Sequence, residues 1–295
     1  MKIEKILFHT RFRELAFNSL QSIMELKVAG LKKIVLTHII PLEESAFVPY
    51  GGYLKEAEEH ARAQARMQFE DWQQTLKQAG IASSIRIETG ITNAGILEIA
   101  DQEKVDMIVV GRKKRTPLEK VYVGAHILDI LRRSPVPVLM SKYMVQFEWE
   151  GELVTRVNEH IFKRPLLATD WSDPSQRGLK MLSALKGAVE KALVAHVIGA
   201  KLSKKASPET LRELELESRK RLDAFCQKLA DEGLLAESHL SMGRTAVEII
   251  KMSREYKATM IVMGRTGKDW FQEYWLGGVS HRVAEISELP VMLVP

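Results

Sequence analysis

The chain has 295 residues, 45% of them hydrophobic and 27% charged, which fits a soluble globular protein with room for two domains. A formal net charge of +5 favours anionic ligands only weakly, and the dense basic clusters of a dedicated nucleic-acid binder are missing. The single cysteine, Cys226, excludes an internal disulfide, MKIEKILFHTRF is too short an apolar run for a signal peptide, and no window approaches the ~20 apolar residues of a membrane span, so a cytoplasmic protein is expected.

KILFHT (5–10) reads as a short apolar strand, and FRELAFNSLQSIMELKVAG (12–30) as an amphipathic helix closed by Gly30. KIVLTHII (33–40) is the second strand. A long helix rich in Ala, Glu, Arg and Gln covers about 53–79, with Gly80 as its C-cap. SIRIETG (84–90) is the third strand, AGILEIADQEKV (94–105) a helix, DMIVVG (106–111) the fourth strand, AHILDILRRS (125–134) a helix and VPVLMS (136–141) the last strand. Residues 144–162 repeat nothing else in the chain. The alternation of Val145, Phe147 and Trp149 suits an edge strand, or a strand pair reaching between the flanking parts.

From residue 163 onward the pattern returns. KVDMIVVGRKKRTPLEKVYVGAH (104–126) aligns with KATMIVMGRTGKDWFQEYWLGGV (257–279) at a shift of 153, and Gly90, Gly111, Gly124 and Pro137 match Gly243, Gly264, Gly277 and Pro290. KILFHT resembles PLLATD (165–170), and LTHII (36–40) resembles VAHVI (194–198), at 158–159; the drift falls between about 40 and 90. The second long helix carries Ser207 as N-cap, Pro208 at its first position and Gly233 at its end. The chain is a duplication: 1–143, a connector at 144–162, and 163–295. Strands apolar on both faces, such as MIVV and MIVM, are those of a parallel sheet covered by helices, so each copy is an α/β open sheet of about five strands.

Open α/β sheets bind ligands beyond the carboxyl ends of their strands, where the strand order reverses. In the second copy ATDWSD (168–173) and GRTGKDWFQEYWLGG (264–278) meet there if the first and fourth strands are neighbours. Asp170 offers a carboxylate to ribose hydroxyls, and the glycines lead to a helix start near Gly278–Ser280, where free amides favour phosphate. Walker A is absent, because GRTGK is followed by Asp269, and so is GxGxxG. Spacing alone leaves a nucleotide cradle and a ligand-free strand–helix connection equally open.

These residues resemble the universal stress protein family in its tandem two-domain form. The family's nucleotide pattern is Gly, two residues, Gly, nine residues, Gly, then Ser or Thr. Gly264, Gly267 and Gly277 keep it; Gly278 stands where the family has a hydroxyl, and Ser280, two residues on, could partly replace it. Asp170 in ATDWS is similar to the family's TDGS, and Pro290-Val-Met-Leu-Val resembles its closing strand. The likeness spans both copies outside the connector and the long helices. It implies two sheets of strand order 3-2-1-4-5, of the adenine nucleotide alpha-hydrolase-like type, joined through their last strands as a pseudo-dimer, with further homodimerisation compatible. It also implies ATP, or AMP/ADP, in the second copy, with Mg²⁺ accompanying ATP. Carried over, the pocket is Ala168 and Asp170 on the ribose side, Val197 for adenine through its backbone, and Met263, Gly264, Gly267, Gly277, Gly278, Val279 and Ser280.

The first copy departs from the pattern: Arg11, Lys114, Ala125 and Ile127 stand for Asp170, Gly267, Gly278 and Ser280, so no ATP is expected there. Its RKKR run (112–115) reads as a solvated loop. His38 and His196 lack metal-ligand spacing, and neighbouring Ser280 and His281 point apart at a helix start. Trp270, Phe271, Tyr274 and Trp275 pack their loop or cover a ligand; Trp171 borders adenine or the core. Arg265 and Lys268 are candidate phosphate contacts, Cys226 is a packing residue and the methionines are core. Three functions remain: a regulatory nucleotide binder in stress response with an unidentified protein partner, a slow Mg²⁺-dependent ATPase, or a nucleotide-free interaction module.

Overall fold

Runs such as Met107–Gly111 and Met260–Gly264 can bury both faces only inside a helix-covered sheet, and the computed structural model places them there. It describes residues 2–42, 55–111, 125–149, 151–266 and 276–295. The first half runs β1 (Lys5–His9), α1 (Ala16–Met24), β2 (Lys33–Pro41), α2 (Lys55–Gln78), β3 (Ala82–Gly90), α3 (Thr92–Glu103), β4 (Met107–Gly111), α4 (Ala125–Arg133) and β5 (Val138–Ser141). A connector hairpin follows, β6 (Met144–Trp149) and β7 (Glu152–Val157). The second half runs β8 (Pro165–Ala168), α5 (Asp173–Ala184), β9 (Ala192–Gly199), α6 (Pro208–Asp231), β10 (Ala236–Gly243), α7 (Thr245–Glu255), β11 (Met260–Gly264), α8 (Gly278–Ile286) and β12 (Val291–Val294). The start of α6 is capped as its sequence requires, with Ser207 Oγ accepting from the Thr210 amide at 3.2 Å.

All ten long-range strands form one sheet, in the order β10-β9-β8-β11-β12-β5-β4-β1-β2-β3. Each half therefore has the order 3-2-1-4-5, and the reversal lies between its first and fourth strands. The registers repeat residue for residue: Leu7 opposes Ile108 as Leu166 opposes Ile261, and Ile108 opposes Val138 as Ile261 opposes Val291. The shift falls from 158 at β2 and β9 to 153 at β3 and β10, and the long helices α2 and α6 already start 153 apart, which places the five extra residues of the first half between Pro41 and Lys55.

Neighbouring strands are parallel within each half, and the halves join by the antiparallel pair β5–β12, with Leu139 opposite Met292. The joint leaves no break in the core. On one face Phe8, Leu139, Phe162, Val262 and Met292 belong to a single buried cluster; on the other Ile108, Met140, Leu166, Ile261 and Leu293 do. A second contact fixes the halves nearby, where the turns at Glu25–Ala29 and Lys186–Ala188 meet. A Cβ added at Gly187 would stand 2.4 Å from Val28 O, so only glycine permits that approach.

The connector is a separate two-stranded sheet and not an edge of the main one. It is tied to the second half: Arg156 Nη2 donates to Ala258 O and Asn158 Nδ2 to Thr259 O, each at 2.8 Å. Val145 is fully buried. Among the described residues no helix is long and apolar enough to cross a membrane.

Candidate functional site

The strand order of the second half brings the C-terminal ends of β8, β9 and β11 together under the starts of α7 and α8. A cleft of about 640 Å³ opens there. Ala168, Asp170, Val197, Met263, Gly264, Gly277, Gly278, Val279 and Ser280, nine of the residues singled out above, all line it. Gly267 lies outside the described residues, as do Lys114, the 112–115 run, Lys268, Trp270, Phe271, Tyr274 and Trp275. The floor is apolar, made by Ala168, Ala195, Val197, Ile249 and Met263, and suits a flat ring.

At one end α8 begins. Gly277 is its N-cap, donating from its amide to Arg265 O at 3.0 Å and accepting from the His281 amide at 2.8 Å. The next three amides, of Gly278, Val279 and Ser280, are first-turn groups that a helix leaves without an intrahelical acceptor, at the positive end of its dipole. Gly278 has space: a Cβ there would meet nothing within 4 Å among the described residues. The hydroxyl of Ser280 is buried and donates to Gly264 O at 2.8 Å. It ties the helix start to the end of β11, because the third helical position points sideways at the strand. Gly264 is held by packing as well. A Cβ there would lie 2.6 Å from Pro174 Cβ, at the start of α5.

Asp170 borders the middle of the cleft. Its Oδ1 accepts from the Ser172 amide at 3.1 Å and from the Ser172 hydroxyl, a local turn that fixes the carboxylate. Trp171 follows with φ of +70°, a strained backbone for a large side chain. Its amide donates to Thr169 Oγ1 at 3.1 Å, and its ring lies 4.7 Å from His196 and 5.3 Å from Phe225. His196 Nδ1 donates to Thr169 O at 2.7 Å. It is a structural histidine, and among the described residues no group of His, Cys, Asp and Glu could hold a metal ion.

Sequence reasoning missed one wall. Leu214, Glu217, Ser218 and Arg221 of α6 face the cleft, with Leu202 and Thr245 beside them. Arg221 Nε donates to Glu217 Oε1 at 2.7 Å, and its guanidinium stands 6.0 Å from the Trp171 ring. These charges read as a solvated helix face; only the repeat alignment of Thr245 with Thr92, after equivalent strands, pointed toward the sheet's upper edge. Arg265, a candidate phosphate contact, sends Nη1 to Ser134 O in the first half at 2.7 Å. Cys226 is no nucleophile at neutral pH, since burial, helped by Asp223 and Glu237, pushes its thiol up to about 11.

In the first half larger side chains stand at the described positions equivalent to Ala168 and Asp170. Arg11, at the place of Asp170, donates to Thr92 Oγ1 at 3.1 Å and so crosses from the end of β1 to the start of α3. His9 takes the place of Ala168. It is buried, and desolvation, then the nearby His38 and Arg11, pushes its pKa down to about 3, so the ring stays neutral. Phe12 repeats the positive φ of Trp171, at +52°, and stacks into a cluster with His38, Phe69 and Trp72.

The model of the Universal stress protein family matches residues 2–142 and again 162–295. Universal stress protein MJ0577 of Methanocaldococcus jannaschii is 27% identical over 153 residues, 47% of this chain and 94% of that protein. Universal stress protein YxiE of Bacillus subtilis is 35% identical over 86 residues, 29% of this chain and 58% of that protein. Among solved structures, a universal stress protein from Archaeoglobus fulgidus superimposes with a TM-score of 0.71 at 21% identity, over 99% of this chain and 96% of that one, a likeness of fold.

Proposed function

Because the chain belongs to the universal stress protein family, in tandem form, we propose that its second half binds one adenine nucleotide, ATP or its products AMP and ADP, and that occupancy regulates what the protein contacts. The supporting observation is the asymmetry of the two halves. In one, an apolar floor, a carboxylate and a helix start converge on a single cleft; in the other, Arg11 bridges to Thr92 across the same position.

The adenine ring lies on Ala168, Val197 and Met263, with its edge read by the backbone of Val197. The ribose hydroxyls donate to Asp170, whose carboxylate is already oriented by Ser172. The phosphates meet the amides of Gly278, Val279 and Ser280, with Gly264, Gly267 and Gly277 letting the backbone approach. Ser280 contributes its amide, since its hydroxyl proton is engaged with Gly264 O. Among the described residues two carboxylates line the cleft, Asp170 and Glu217, and Glu217 is engaged with Arg221, so Mg²⁺ arriving with ATP would be held chiefly by the phosphates. Arg265 links this loop to Ser134 of the first half, a route by which phosphate contact alters the joint between halves.

Titration calorimetry with ATP tests the reading. We expect one site per chain, and a loss of about tenfold or more in Asp170→Ala, because a charged acceptor is removed. Two sites per chain, or an unchanged affinity in Asp170→Ala, would overturn it.

A further inference from the structure

The antiparallel joint creates two related grooves, because it sets the upper edge of each half beside the lower edge of the other. The connector occupies one. There Arg156 and Asn158 bind the carbonyls of Ala258 and Thr259, at the foot of β11, and Val145 is buried. At the other, an open groove of about 630 Å³ is lined by the counterparts of that seat: Val105 and Asp106 at the foot of β4, and Pro137 before β5. They correspond to Ala258, Thr259 and Pro290.

The two seats differ in charge. By the repeat alignment, Lys2 and Arg177 of the open groove replace Ile161 and Asn18, and Pro135 replaces Glu288. Pro295 replaces Lys142 and Asp106 replaces Thr259, so across all the exchanges the open groove gains one net positive charge. The carboxylate of Asp106 is turned inward, accepting from the amides of Glu4 and Lys5 at 2.8 Å each. Arg177 is exposed, and its Nε donates to the main-chain oxygen of Pro295.

We propose that this groove docks an extended, acidic segment of a partner protein. The segment lies where the connector lies in the related seat, with an apolar side chain against Val136 and carboxylates against Lys2 and Arg177. Shape comes from the seat that a strand pair of this chain fills, and sign from the exchanged residues. The groove is distinct from the nucleotide cleft and its occupancy does not depend on the reading given above; Arg265 lines this groove, and its neighbours Gly264 and Thr266 line the cleft.

The test uses the full chain and a fluorescein-labelled octapeptide of alternating glutamate and valine, followed by anisotropy at low salt. Saturable binding is expected, weakened about tenfold or more in Arg177→Glu and unchanged in Lys220→Glu, an equal change of charge on the exposed face of α6. Hydrogen exchange should slow at Val105 and Val136 on peptide addition. Should Arg177→Glu lower the melting temperature, Lys2→Glu takes its place. Absence of saturable binding, equal loss in both charge variants, or protection confined to other segments overturns the proposal.

Discussion

Gly264 and Gly111 close equivalent strands, yet alanine should act oppositely at the two. A Cβ on Gly264 would stand 2.6 Å from Pro174 Cβ and 3.1 Å from both the Pro174 carbonyl carbon and Thr266 O. Those neighbours are ring and backbone atoms, so relief means moving the start of α5 away from β11. Overpacking of this kind costs about 1–3 kcal/mol. At Gly111 the same atom meets nothing within 4 Å among the described residues, and the loss of glycine's freedom in the unfolded chain stabilises by about 0.4–1 kcal/mol. For 295 residues, an unfolding entropy of ~2.1 cal/mol/K per residue gives roughly 0.6 kcal/mol/K. Gly264→Ala should therefore lower Tm by about 2–5 °C, and Gly111→Ala raise it by about 1 °C. Scanning calorimetry without added nucleotide reads both. Equal shifts in the two variants would refute the claim that Gly264 is required by packing.

Gly278→Ser restores a hydroxyl at an open position, and should tighten ATP about tenfold, one hydrogen bond to a charged group; calorimetry showing no gain would remove the phosphates from the start of α8. His9 ties stability to pH. Its pKa is depressed to about 3 in the fold, so the unfolded chain binds the proton first and stability falls as pH drops below about 6.5. Between pH 6.5 and 5 wild type should lose about 2 kcal/mol relative to His9→Ala in urea titrations; parallel pH profiles would contradict this. Leu139→Ala, at the fully buried joint, should cost about 2–5 kcal/mol and lower a single calorimetric transition, whereas two separate transitions would deny a shared core.

The parts legible in the sequence were those with local causes. Apolar strands of four or five residues, glycines closing long helices, and a repeat whose shift settles at 153 led to ten strands in two copies, while their order came from the family resemblance. The connector's alternation was visible too, but its seat was not, because Arg156 and Asn158 bind backbone carbonyls about a hundred residues away. The same distance hid why Gly264 is glycine: Pro174 lies on another helix. Ser280 read as a ligand hydroxyl, since nothing in a helix-start motif tells that Gly264 O is its neighbour. Glu217 and Arg221 escaped notice because helical periodicity sorts charges outward without telling what stands opposite.

The central claim, one adenine nucleotide per chain held by the second half, is tested most directly by mass spectrometry of the small molecules released on denaturing freshly purified protein. The account predicts ATP, ADP or AMP at a stoichiometry approaching one per chain from wild type, and little from Asp170→Ala. No adenine nucleotide from wild type, together with no thermal shift in millimolar ATP, would contradict it and leave the cleft to a nucleotide-free interaction module.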